Sequence, residues 1–153
     1  MPYHDEQGLI TTTMTNYVGI ALVLNEISRR MVHNNSGIII CLSSVAGVRG
    51  RQSNFIYGAS KSALNTYLQG LRMKMYRHNV RVVTVLPGYV DTPMSYGKVK
   101  QRYAVSPRYI ARKIYRLTKG NRNVVYVPPI WWLIMRIIVF IPEAIFKKLK
   151  SVF

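Results

Sequence analysis

An α/β sandwich around a parallel sheet is the fold this sequence predicts, and three observations predict it. Segments with apolar residues at helical spacing alternate with short β-branched runs. The first of those runs, Gly37 to Leu42, is apolar without interruption, as a strand covered by helices on both faces must be. The first two open at their carboxyl ends into loops rich in small and polar residues before the next helix.

The elements follow in order. Thr13 to His33 carries Tyr17, Ile20, Ala21, Leu24, Ile27 and Met31 at helical spacing, and Asn34-Asn35-Ser36-Gly37 ends it. Gly37-Ile38-Ile39-Ile40-Cys41-Leu42 reads as a strand buried on both faces, which sets Ser43-Ser44 at its carboxyl end. A loop through Gly47, Gly50 and Asn54 leads to a second helix, Tyr57 to His78, striped by Ala59, Ala63, Leu64, Leu68, Leu71 and Met75. Asn79 to Leu86 is the next strand, stopped by Pro87-Gly88 because proline cannot continue the ladder. Tyr89 to Val105 reads as a loop with one short helix. Ser106-Pro107 then opens a third helix with Ile110, Ile114 and Leu117 inside, ending at Gly120. Asn123 to Val127 is the last strand. Ligands of such sheets bind beyond the carboxyl ends of the strands.

With 153 residues, 49% of them apolar, the chain is the size of one domain and is no disordered tail. The lone Cys41 lies in an apolar run and reads as a small buried hydrophobe, and His4, His33 and His78 lack ligand spacing, so no metal site is expected. The first residues show no basic flank followed by an apolar run, so the protein is expected in the cytoplasm. The net charge of +17 is uneven, with no acid between Asp91 and Glu143, and asks for an anionic neighbour or for an acidic portion of the same protein outside this chain. Nucleic acid is the weaker candidate, since neither RNA-motif aromatics nor a recognition-helix pattern occurs.

Tyr-x-x-x-Lys occurs four times, at Tyr57/Lys61, Tyr96/Lys100, Tyr109/Lys113 and Tyr115/Lys119. Position chooses among them. Only Tyr57/Lys61 begins a helix that follows a strand ending in hydroxyl residues, with Ser44 thirteen positions upstream. Such a phenol, ammonium and hydroxyl suit carbonyl reduction, in which the oxygen must gain a proton. A phenol releases that proton readily near neutrality only where a cation favours the phenolate, and a fixed hydroxyl donor stabilises charge building on oxygen.

Leu42-Ser43-Ser44-Val45-Ala46-Gly47, Tyr57-Gly58-Ala59-Ser60-Lys61, Asn16-Tyr17-Val18-Gly19 and Pro87-Gly88-Tyr89-Val90-Asp91-Thr92, in that arrangement, resemble the motifs of the short-chain dehydrogenase/reductase family. The resemblance runs from Asn16 to Val127. It implies the carboxyl-terminal part of a Rossmann-like, doubly wound three-layer sheet and an oxidoreductase using NAD or NADP. It implies Tyr57, Lys61, Ser44 and Asn16 as the catalytic tetrad, Asn16 holding a water that links Lys61 to solvent. Tyr57, Lys61, Pro87, Gly88, Val90 and Thr92 would contact the cofactor.

The family's opening glycine-rich strand, turn and helix, which hold the cofactor pyrophosphate, have no counterpart here. Residues 1–127 therefore read as a partial domain lacking its first βαβ units. A truncated gene, a start codon placed too late, or a separate chain supplying the first half would each account for it. The tetrad is complete and the cofactor site is not. That leaves two readings: an NAD(P)-dependent oxidoreductase of this family, active or inactive as the isolated chain, or a non-catalytic basic remnant that binds an anionic membrane or a partner chain.

Residues 128–153 form an apolar, basic tail that is too short to span a bilayer. Its tryptophans and its Phe146, Lys147, Lys148 and Lys150 suit a segment lying in an anionic membrane interface at the inner face. A cap on the substrate pocket or a contact in a homo-oligomer stands beside that reading. The tail resembles that of reductases of polyprenyl-phosphate-linked keto-sugars, which implies a lipophilic carbonyl or alcohol as substrate.

Overall fold

The computed structural model describes residues 6–93 and 104–149. His4, Tyr96, Lys100, Lys150 and most of the loop expected to hold a short helix lie outside them. The described elements are α1 (Glu6–Thr13), a π-turn (Met14–Val18), α2 (Gly19–Asn34), β1 (Gly37–Leu42), 3₁₀ turns at Val45–Gly47 and Gln52–Asn54, and α3 (Phe55–Tyr76). There follow β2 (Val80–Pro87), α4 (Pro107–Leu117), β3 (Val124–Val127), α5 (Ile130–Phe140) and α6 (Glu143–Phe146).

The sheet is parallel in the order β1-β2-β3, with Ile39 opposite Val82 and Val85 opposite Val125. Alternation of side chains sorts the strands onto two faces. Ile39, Cys41, Val80 and Val82 meet α2 and α3 through Leu24, Leu64, Leu68 and Met75. Val83, Val85 and Val127 meet α4 through Ile110. This is the predicted three-layer arrangement. Arg72 fastens α3 to the sheet by donating to Val82 O at 2.9 Å and Thr84 Oγ1 at 2.7 Å.

Several local expectations are corrected. Burial of β1 on both faces is the first of them: as an edge strand among the described residues it leaves Ile38 and Ile40 half-buried at the side of the α4 cluster and Leu42 exposed. β2, in the middle, is the strand buried along nearly its whole length. It includes Pro87, and the ladder goes one step further, since Gly88 N–H donates to Val127 O at 3.0 Å.

In α2, Ser28 takes the core position predicted for Ile27. Its hydroxyl donates to Leu24 O at 2.5 Å, which lets a polar group face the core, and Ile27, about 100° around the helix, is turned outward. In α3, Ala59 is exposed and Ala63 half-buried, because Gly58, Ser60 and Lys61 occupy the buried face. The α4 ends conform: Ser106 Oγ accepts from Tyr109 N–H at 3.2 Å, and Gly120 N–H donates to Leu117 O at 3.3 Å. Asn35 closes α2 with φ of 47°, a left-handed conformation asparagine tolerates.

Candidate active site

Three segments carry candidate residues beside those on α3: the turn after β1, the π-turn and the turn after β2. In the first, Ser44 caps the 3₁₀ helix, Oγ accepting from Ala46 N–H at 3.1 Å. A hydroxyl used as an acceptor keeps its own proton to donate. The turn lies directly on α3: a Cβ on Gly47 would stand 2.5 Å from the backbone carbon of Lys61, and one on Gly58 3.1 Å from Ala46 O. Asn65 Nδ2 donates to Gly47 O at 3.2 Å, and Ser43 Oγ to Lys61 O at 3.4 Å. Two glycines thus join the Ser44 turn to the part of α3 that carries Tyr57 and Lys61.

Separation by four residues does not single out the Tyr57 pair. Lys61 Nζ lies 5.8 Å from the Tyr57 ring centroid, but Lys113 and Lys119 lie 5.6 and 5.9 Å from the rings of Tyr109 and Tyr115. Helical spacing alone produces such distances. Burial makes the difference: Lys61 is 8% exposed, whereas Lys113 is half-buried and Lys119 exposed. Burial pushes the Lys61 ammonium below the usual lysine range, with the nearby Cys41 acting weakly the other way, and burial raises the Cys41 thiol.

Asn16 lies in the π-turn, where Gly19 N–H reaches back to Met14 O. The turn packs on α3, and beside Asn16 the Tyr17 ring meets Tyr67 edge-on at 6.3 Å. Insertions of this kind re-aim a helix face and recur at functional sites. The third segment, Pro87 to Thr92, is pinned by Gly88 to β3 and by a bridge between Val90 and Val105, with Thr92 Oγ1 donating to Val90 O at 3.4 Å. No group of three or more His, Cys, Asp or Glu suited to a metal occurs among the described residues.

A model of the short chain dehydrogenase family matches residues 3–102. The chain belongs to the short-chain dehydrogenase family. It is 33% identical to an uncharacterised oxidoreductase of Streptomyces coelicolor over 145 residues, 95% of this chain and 56% of that protein. It is 28% identical to an uncharacterised oxidoreductase of Mycobacterium tuberculosis over 124 residues, 81% of this chain and 50% of that one. The chain spans about half the length of the curated relatives it matches. In fold it resembles a short chain dehydrogenase of Burkholderia cenocepacia solved in complex with NADP, with a TM-score of 0.85 at 24% identity over 99% of this chain and 64% of that one.

Sequence reasoning missed how this dehydrogenase chain attaches its tail to the site. Trp131 of α5 lies over Gly88, where a Cβ would come within 1.8 Å of its indole nitrogen, and meets Tyr89 edge-on at 5.6 Å. Arg49, from the Ser44 loop, reaches the end of α5. Its Nη1 lies 3.0, 2.8 and 2.7 Å from the carbonyl oxygens of Ile138, Val139 and Ile141, and its two hydrogens must be shared among the three. Its Nη2 pairs with Glu143 at 3.0 Å, and the guanidinium covers the Phe146 ring at 4.1 Å. A cation suits helix-terminal carbonyls. Glu143, as the one acid of the tail, was the available signal. We expect Arg49→Ala to cost about 2 kcal/mol, mostly from the orphaned carbonyls since Glu143 is exposed, and to speed proteolysis between α5 and α6. An unchanged melting temperature and cleavage rate would count against this role.

Proposed function

We propose that this chain carries the proton-transfer part of an NAD(P)-dependent oxidoreductase that reduces a carbonyl or oxidises an alcohol. The supporting observation is that Lys61, alone among the lysines of the three described tyrosine pairs, is buried, and that its helix is joined to the Ser44 turn through Gly47. The nicotinamide end of a cofactor fits this donor set: a buried ammonium beside a phenol, a hydroxyl with a proton to give, and the Pro87-Gly88-Tyr89-Val90-Asp91-Thr92 turn at the sheet's carboxyl edge. The pyrophosphate end has no glycine-rich cradle within these residues.

When bound, the cofactor supplies hydride to the carbonyl carbon. Tyr57 gives its phenolic proton to the oxygen, and the Lys61 ammonium beside it stabilises the phenolate left behind. Ser44 donates a hydrogen bond to the same oxygen, and Asn16, on the π-turn against α3, holds the water through which the proton is replaced. Alcohol oxidation runs the same steps backwards.

A lipophilic or lipid-linked carbonyl is the substrate class we favour, and association with an anionic membrane through residues 128–153 belongs to the same reading. Its support is the tail helix lying on both Val45 and Tyr89, beside Ser44 and Gly88.

Titrating the purified protein with NADPH and following nicotinamide fluorescence tests the proposal. Saturable enhancement is expected. Absence of binding would leave a dehydrogenase-fold protein without this activity.

A further inference from the structure

Helix α5 is apolar on both sides. Trp131, Met135 and Ile138 face inward against Val45 and Leu86, and a helix so seated normally shows polar residues outside. Here Trp132, Leu133, Ile137, Phe140, Ile145 and Leu149 are exposed instead, lining one open groove of about 800 Å³ between α5 and α6. A contiguous exposed apolar surface of this kind marks a docking face.

Charge chooses the occupant. The Arg136 guanidinium lies in this groove, 4.9 Å from the Trp132 ring, Lys147 and Lys148 follow α6, and the tail's only carboxylate, Glu143, is paired with Arg49. A second copy of a chain with net charge +17 would bring the same cations onto this face. An anionic bilayer offers both an apolar layer for the rings and a negative surface for the cations, and tryptophan and arginine with apolar bodies and polar tips suit its boundary. None of the described helices is long and apolar enough to cross a membrane. At 11 residues α5 is about 16 Å long, so it would lie in the plane.

We infer that the outer face of α5 and α6 docks on an anionic lipid bilayer and, because the inner face of α5 rests on the Ser44 and Gly88 loops, holds the mouth of the active site against that surface. The Arg49 bracket keeps the two helices at a fixed angle, so the groove is presented as a rigid face. This inference rests on the proposed lipophilic substrate only for its purpose; the docking face stands on its own residues.

The test is co-sedimentation with sucrose-loaded vesicles of phosphatidylcholine, with and without phosphatidylglycerol, in the absence of nicotinamide. The protein should sediment with the anionic vesicles and lose binding with added salt. Substituting the exposed pair Ile137→Glu and Phe140→Glu should weaken binding by about tenfold or more. Lys147→Gln with Lys148→Gln should reduce it by about fivefold per charge on anionic vesicles and leave phosphatidylcholine unaffected. Tyr57→Phe should bind like the unaltered protein. Equal binding by the glutamate double variant would reduce the effect to bulk charge and overturn the inference, as would an unaltered protein that stays in the supernatant. A dimer in analytical ultracentrifugation that the glutamate pair dissolves, without vesicle binding, would assign the face to a second copy and overturn it too. Vesicle binding without NADPH binding would remove the reductase reading and leave the docking face standing.

Discussion

Lys61→Met will lower nicotinamide-dependent turnover by about 10³-fold and at the same time raise the melting temperature. The loss follows from the proposed chemistry: without the ammonium, the phenolate left by proton transfer from Tyr57 has no cation beside it, and positioned acid–base groups are worth about 10²–10⁴-fold. The gain follows from burial. Lys61 is 8% exposed and its ammonium is held below the usual lysine range by desolvation, so the folded protein carries a cost that a methionine of similar length does not. Removing a poorly paired buried charge should stabilise by about 1 kcal/mol, or roughly 3 °C for a domain this size.

The pH dependence has a definite sign. With the folded value depressed, the unfolded chain binds more protons between that value and the ordinary lysine range, so stability of the unaltered protein rises with pH across this window. The methionine advantage is therefore largest below the folded Lys61 value and shrinks as pH rises through the Lys61 titration. Melting curves of both proteins from neutral to alkaline pH check it. A destabilised variant, or an advantage that grows with pH, would contradict it.

Gly47→Val will both unfold the protein more easily and disable the site. Its new Cβ would meet Lys61 C at 2.5 Å, Lys61 O at 2.7 Å and Ser62 N at 2.7 Å, all backbone of α3. A helix backbone cannot step aside, so the Ser44 turn must lift away and lose the Asn65 and Ser43 contacts. We expect about 3 kcal/mol of destabilisation, near 10 °C, and about 10²-fold lower turnover from a displacement of Ser44 on the order of 1 Å. Two neighbouring glycines make the comparison decisive. Gly58→Ala brings a Cβ to 3.1 Å from Ala46 O and should be milder, and Gly50→Ala meets nothing within 4 Å and should be silent. Equal effects at all three positions would show that close approach is not what Gly47 provides.

Much of the fold was legible because its signals are local. Three predicted strands, the Ser106 cap and the Asn35 stop depend on residues a few positions apart, and a parallel sheet between helices follows from their alternation. The errors lie where the neighbour is distant. β1 looks buried on both faces from its composition, yet the α4 cluster centres on β2 and β3 and leaves Ile38 and Ile40 half-buried, which no periodicity within β1 could indicate. Ile27 looks like a core residue and gives way to Ser28, whose hydroxyl finds its own acceptor one turn back.

The candidate site divides in the same way. By itself the sequence named the candidates for the proposed chemistry, Tyr57, Lys61, Ser44 and Asn16, and placed Tyr57 and Lys61 one helical turn apart. That spacing proved common to three pairs, all between 5.6 and 5.9 Å. Tertiary structure alone decided that Lys61 is the buried lysine among them, that Gly47 lets the Ser44 turn touch α3, and that Arg49 ties this turn to the tail across 92 residues at Ile141. The reason is physical. Helix and strand signals come from steric and solvation preferences between near neighbours along the chain, whereas desolvation and close backbone approach depend on which distant segments the core brings together.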